Sequence, residues 1–122
     1  MIAVHAASGR TLAARVTKAD DPGARSKGLL GRESLDADEG MWIMQPPLAW
    51  VVPCPTIHTF FMKFSIDVLF LDGGLRVRRV IENLKPWRLS PWVLHSHSIL
   101  ELKGGTLRGS VRAGDQLEMR PA

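Results

Sequence analysis

The sequence predicts a mainly β protein with one short helix, a small β-sandwich or barrel of jelly-roll type, folded as a single domain over residues 1–122. Three observations carry that expectation. Apolar residues recur at period two or in short continuous runs rich in branched and aromatic side chains, the patterns of half-buried and fully buried strands. Glycine and aspartate turn signals separate those runs. Eight prolines interrupt much of what remains, which denies the intervening stretches a long helix or a central strand.

In chain order, Ile2 and Val4, then Leu12, Ala14 and Val16, alternate with smaller or polar residues around Ala7-Ser8-Gly9, which reads as a hairpin. Asp20-Asp21-Pro22 is a helix-start signal, with an N-terminal acceptor and a proline at the first helical position. It predicts a short helix over residues 22 to 31. Gly23, Gly28 and Gly31 each weaken that helix by up to ~1 kcal/mol relative to alanine, so tertiary packing must hold it. Residues 33 to 40 are acidic and polar and predict a surface loop before the apolar residues 41 to 44. Pro46, Pro47, Pro53 and Pro55 then bracket an apolar stretch, read as an edge segment or a long ordered loop.

Residues 66 to 71 are nearly all apolar, which predicts a strand covered on both faces. Asp72-Gly73-Gly74 turns it into a partner strand over Leu75 to Leu84. Leu75 and Val77 share a face while Val80 falls out of phase, so a β-bulge is expected at Arg78-Arg79. Ser98 to Lys103 predicts a further strand, Gly104-Gly105 a turn, and Leu117 with Met119 a last strand after Ala113-Gly114-Asp115.

Composition bounds the function classes. Hydrophobic residues at 45% and charged residues at 23% are globular usage and exclude disordered and collagen-like chains. No apolar stretch approaches the ~20 residues needed to span a bilayer. The first residues have neither the basic nor the apolar region of a secretory leader, and Cys54 alone permits no intrachain disulfide, so a cytoplasmic location is expected. The net charge of +4 is uneven: residues 1 to 61 hold six basic and six acidic side chains, whereas residues 62 to 122 hold ten and six. Arg76, Arg78, Arg79, Lys85 and Arg88 form a local basic stripe.

Several residues could carry chemistry. Cys54 and His58 are four apart and would act as nucleophile and base, or as two metal ligands, if the backbone brought them together. The spacing fits no standard zinc pattern, and a lone cysteine is more often a small buried hydrophobe. His95 and His97 would share one face of an extended segment, as ligands can, or be solvated. Asp67 stands between Ile66 and Val68 in the most apolar strand, so its carboxylate must find backbone N–H donors or a cation from Lys63, Arg25 or Arg32. The basic stripe with Trp87 and Trp92 has the ingredients of a single-strand nucleic-acid platform, although a solvated face with the tryptophans in the core is the plainer reading. No Walker, Gly-x-Ser-x-Gly or His-Glu-x-x-His pattern occurs.

The segments 24–35, Gly40-Met41, 58–72, 84–87, 93–105 and 113–117 together resemble the prokaryotic family known as domain of unknown function 192. The family pattern is matched at Gly28-Leu29-Leu30 with Arg32, at Met62-Lys63, at Ile66-Asp67 and at Gly114-Asp115. Leu30 stands where the family usually has methionine, and Ser65 where it often has proline. The resemblance implies a small jelly-roll β-sandwich of unknown activity, with some relatives secreted or membrane-anchored. The expected function is binding of a small ligand or a protein partner without demonstrable catalysis, with no cofactor and no metal, through candidates Cys54, His58, Thr59, Lys63, Asp67 and Arg32. The alternatives are an enzyme or metal protein centred on Cys54 and His58, and nucleic-acid binding by the basic half, which is disfavoured.

Overall fold

Among the described residues eight strands follow one another: β1 (Ile2–His5), β2 (Thr11–Ala13), β3 (Arg15–Ala19), β4 (Glu39–Met44), β5 (Ile66–Leu71), β6 (Val77–Leu84), β7 (Ser98–Lys103) and β8 (Leu117–Arg120). The structure is a computed structural model that describes residues 1–19, 29, 32–45, 59, 62–91 and 93–122. Among the described residues there is no helix. The helix expected over residues 22 to 31 falls outside them except for Leu29, which lies in a turn.

The strands form two open sheets, with orders β2-β1-β8 and β3-β4-β7-β5-β6, so the architecture is two-layered and not a closed barrel. The opening hairpin is present, but it is shorter than its alternation suggests. Ala3 pairs with Ala13 and Val4 with Thr11, and the chain then bends at Ala14 into the other sheet. There β3 runs parallel to β4, Val16 opposite Gly40, while every other pairing among the eight strands is antiparallel. Glu39 and Gly40 belong to β4, so the acidic loop ends earlier than expected. Gly40 packs closely there: a Cβ would stand 3.1 Å from the Leu102 side chain and 3.2 Å from that of Ala13, so both would have to give way.

Strand β5 lies between β7 and β6 and all six of its residues are buried, as its apolar run predicts. Its two faces serve two cores. Leu69 and Leu71 pack with Leu100 and Leu102 of β7 and with Ala3, Leu12, Ala13 and Leu117 of the three-stranded sheet. Ile66, Val68 and Phe70 pack on the opposite face with Ile99, Leu29, Leu35, Met62 and Val93. The alternation of strand side chains therefore assigns each odd or even position to one core or the other.

The β5–β6 hairpin forms through the expected turn. The Asp72 carboxylate accepts the N–H groups of Gly74 and Arg76, both at 2.9 Å, and Leu75 takes φ 63°. The expected bulge appears as well: Phe70 pairs with Arg79 but Leu71 with Val77, which leaves Arg78 without a ladder partner. A second bulge follows, because Ile66 pairs with Leu84 and Val68 with Ile81. Asn83, inside it, takes φ 53°.

Candidate functional site

Asp67 and Glu101 occupy opposite faces of the five-stranded sheet and solve the burial of a carboxyl group in opposite ways. Asp67 shares the inter-sheet face with Leu69 and Leu71 and is fully buried. Its Oδ1 accepts the N–H of Asn83 at 2.8 Å and that of Gly105 at 3.2 Å, and its Oδ2 accepts the Leu107 N–H at 2.9 Å. The second bulge of β6 and the turn after β7 both expose backbone donors that no ladder can satisfy, and one carboxylate gathers them. The expected backbone donors are thus present. The two described cations expected as partners are elsewhere: Lys63 Nζ lies 2.5 Å from Glu33 and Arg32 Nη2 3.0 Å from Glu39. Arg25 lies outside the described residues.

Glu101 is on β7 with Met41 of β4 opposite on one side and Val68 of β5 opposite on the other. It is 3% exposed, and no hydrogen bond or ion pair engages its carboxyl group among the described residues. Burial pushes its pKa up to about 8, so at neutral pH it is mostly a neutral acid, with an O–H to donate. Glu39, two positions before Met41 on the same face of β4, holds the Arg32 guanidinium at 3.1 and 3.0 Å. That hydrogen bonding lowers the Glu39 pKa below its ordinary value despite partial burial. This face therefore carries one ionised carboxylate with its arginine and one neutral acid, separated by a methionine.

The other sequence candidates distribute unevenly. Thr59 is fully buried and ties its segment to the residues after β6: its hydroxyl donates to the Lys85 carbonyl at 2.6 Å and accepts from the Arg88 N–H at 2.8 Å. Lys63 follows Met62, a member of the core on the Glu101 face, and keeps its ammonium at the surface with Glu33. Cys54 and His58 lie outside the described residues. His95 does not sit in an extended segment with His97, because it takes φ 57° in a turn before β7. Arg76, Arg78, Arg79, Lys85 and Arg88 are exposed, as a solvated face requires, but Trp87 is 55% exposed where a core position was expected. Among the described residues no three His, Cys, Asp or Glu side chains group to hold a metal ion.

Two features escaped the sequence reading. Glu101 offered the same signal as Asp67, an acid between two leucines in an apolar strand. His5 gave none, since its acidic partner comes from a distant position. Its Nε2 lies 2.8 Å from Asp115 Oδ2 and its Nδ1 2.7 Å from Ser8 Oγ. Asp115, which also accepts the Arg112 N–H at 3.0 Å, has its pKa lowered first by that backbone bond and then by His5.

The two stacked open sheets, with one core between them and a second on the outer face of the larger sheet, define a two-layer, mainly β fold. The chain belongs to the DUF192 family, described as an uncharacterized ACR, whose model matches residues 3–119. It is similar to the UPF0127 protein PH1112 of Pyrococcus horikoshii, 49% identical over 47 residues, a match that spans 34% of this chain and 40% of that relative. A crystal structure from Sinorhizobium meliloti 1021, provisionally described as a transcription regulator, is 30% identical with a TM-score of 0.75, covering 96% of this chain and 89% of its own. A protein of unknown function from Novosphingobium aromaticivorans shares the fold at 23% identity and a TM-score of 0.73, covering 98% of this chain and 93% of its own.

Proposed function

We propose that this chain binds a small ligand on the Glu101 face of the five-stranded sheet, with the neutral Glu101 acid as a hydrogen-bond donor and the Arg32–Glu39 pair beside it. The observation that carries the reading is the burial of the Glu101 carboxyl group without a partner among the described residues. Leaving such a group unsatisfied costs about 1–3 kcal/mol, and a stabilising apolar residue of similar size would remove that cost. A ligand offering an acceptor to the acid gives the cost a return.

The test compares Glu101→Leu with the unchanged chain in a thermal-shift screen of small molecules at pH 6.5. The expected result is a Glu101→Leu protein at least as stable as the parent that has lost the shift a hit compound gives the parent. Hits that shift both proteins equally would sink the reading.

A second reading draws on the Sinorhizobium relative's description and the exposed arginines of β6. Nucleic-acid binding through Arg78 and Arg79 would fall steeply with salt and weaken when both become alanine. Oligonucleotide binding that survives both tests would exclude that surface.

A further inference from the structure

On the side of the molecule that Asp67 organises, the turn after β7 forms one wall of a groove of about 370 Å³ lined by Arg10, Lys103, Gly104, Gly105, Thr106 and Arg108, together with Thr11 and Leu12 of β2 and Ala37. We infer that this groove is a binding site for a small anion carrying at least two phosphate or carboxylate groups, independent of the Glu101 face. Three formal positive charges line it and no carboxylate does. Asp36 and Asp38, which flank Ala37, are drawn to Arg15 at 3.1 and 2.8 Å. The volume lies at the low end of the roughly 300–1,000 Å³ typical of small-molecule sites.

The wall is built rather than incidental. Asp67 accepts the N–H groups of Gly105 and Leu107, Ser65 accepts that of Gly104 at 3.1 Å, and Lys103 accepts that of Thr106 at 3.1 Å. The turn's backbone donors are therefore committed, and recognition falls to side-chain cations. Arg10 reaches across from the β1–β2 hairpin and donates to the carbonyls of Thr106 at 2.6 Å and Leu107 at 3.3 Å and to the Ser110 hydroxyl. Of the five N–H donors of a guanidinium, these contacts leave two for a ligand. Arg108 holds a left-handed backbone at φ 49°, a conformation unfavourable for a side-chain-bearing residue, with its Nε donating to the Gly105 carbonyl at 3.3 Å. Lys103 forms no ion pair or hydrogen bond through its ammonium among the described residues. Lys103 and Arg108, which flank a pinned turn in the sequence, and Arg10, anchored to that turn with two donors left over, are an arrangement that an anion completes.

The test is a ¹⁵N–¹H titration of the full chain with pyrophosphate and with citrate at constant ionic strength, repeated on the Lys103→Ala/Arg108→Ala variant. Both replaced side chains are exposed, and the variant's unchanged spectrum elsewhere verifies its fold. The expected result is saturable shifts confined to residues 10–12, 37 and 103–108, with affinity reduced about tenfold or more in the variant through loss of two charge-assisted contacts. Tighter binding of pyrophosphate assigns phosphate groups and tighter binding of citrate assigns carboxylates. Absence of saturable shifts, shifts centred on Arg78 and Arg79, or unchanged affinity in the variant would overturn the inference, as would response only to an oligonucleotide.

Discussion

Asp67 Oδ2 accepts the Leu107 N–H at 2.9 Å while Oδ1 accepts that of Asn83 at 2.8 Å, so one buried side chain joins the bulge of β6 to the turn after β7. Asp67→Ala strands three backbone donors in the core, at about 1–3 kcal/mol for each that water cannot reach. Asp67→Asn keeps one acceptor oxygen and nearly the same shape, and should cost less. Urea denaturation of the two variants checks the order, and equal stabilities would show that the carboxylate does not hold the turn.

Glu101 predicts a decline of stability towards alkaline pH. Its pKa is about 8 in the folded chain against an ordinary 4.5, so the unfolded chain loses this proton first as pH rises. The stabilisation is complete below the ordinary value and is lost as pH climbs through about 8. Within that window one such group gives a slope of up to ~1.4 kcal/mol per pH unit. Denaturation at pH 5, 7 and 9 should show the decline in the parent, and Glu101→Gln should flatten it.

Asp115 and Glu39 act in the opposite direction. Both have lowered pKa values in the folded chain, Asp115 through the Arg112 N–H and His5, Glu39 through Arg32. Their contribution is present above the ordinary carboxylate values and is lost as pH falls through the lowered ones. Asp115→Asn should therefore reduce the acid sensitivity of the melting temperature below pH 4. An unchanged acid limb would show that the His5–Asp115 contact does not stabilise the fold.

Gly104→Ala would place a Cβ 2.9 Å from the Ser65 carbonyl oxygen, a backbone atom that cannot rotate away. Nothing lies within 4 Å of a Cβ at Gly105, but its φ of 88° is one that side chains rarely adopt. Gly105→Ala should thus cost about 1 kcal/mol from backbone strain alone. Gly104→Ala should cost more and weaken amide protection at Leu107, because the turn must shift relative to Asp67. Hydrogen exchange distinguishes the two, and the reverse order would contradict the packing described at Ser65.

Local chemistry determined much of this protein. The apolar run at 66–71, the Asp72-Gly73-Gly74 turn and the phase break at Arg78 specify a buried strand, a tight turn and a bulge within a few residues, and each appears where the sequence places it. The burial of Asp67 and its need for backbone donors were also legible, because an acid flanked by β-branched residues in such a strand has few other solutions. Tertiary structure decided what depends on distant partners. Ala14 bends the chain so that β3 joins the larger sheet in parallel with β4, a choice that Gly40 permits by close approach to Leu102 and Ala13. Which donors reach Asp67 depends on a second bulge that leaves Asn83 out of the ladder, and Lys63 and Arg32 pair instead with Glu33 and Glu39. The His5–Asp115 pair spans 110 positions, and the cations of the groove come from both ends of the chain. Such groups meet only when two sheets close on a shared core, since strand alternation specifies which face a side chain occupies but not what lies across from it.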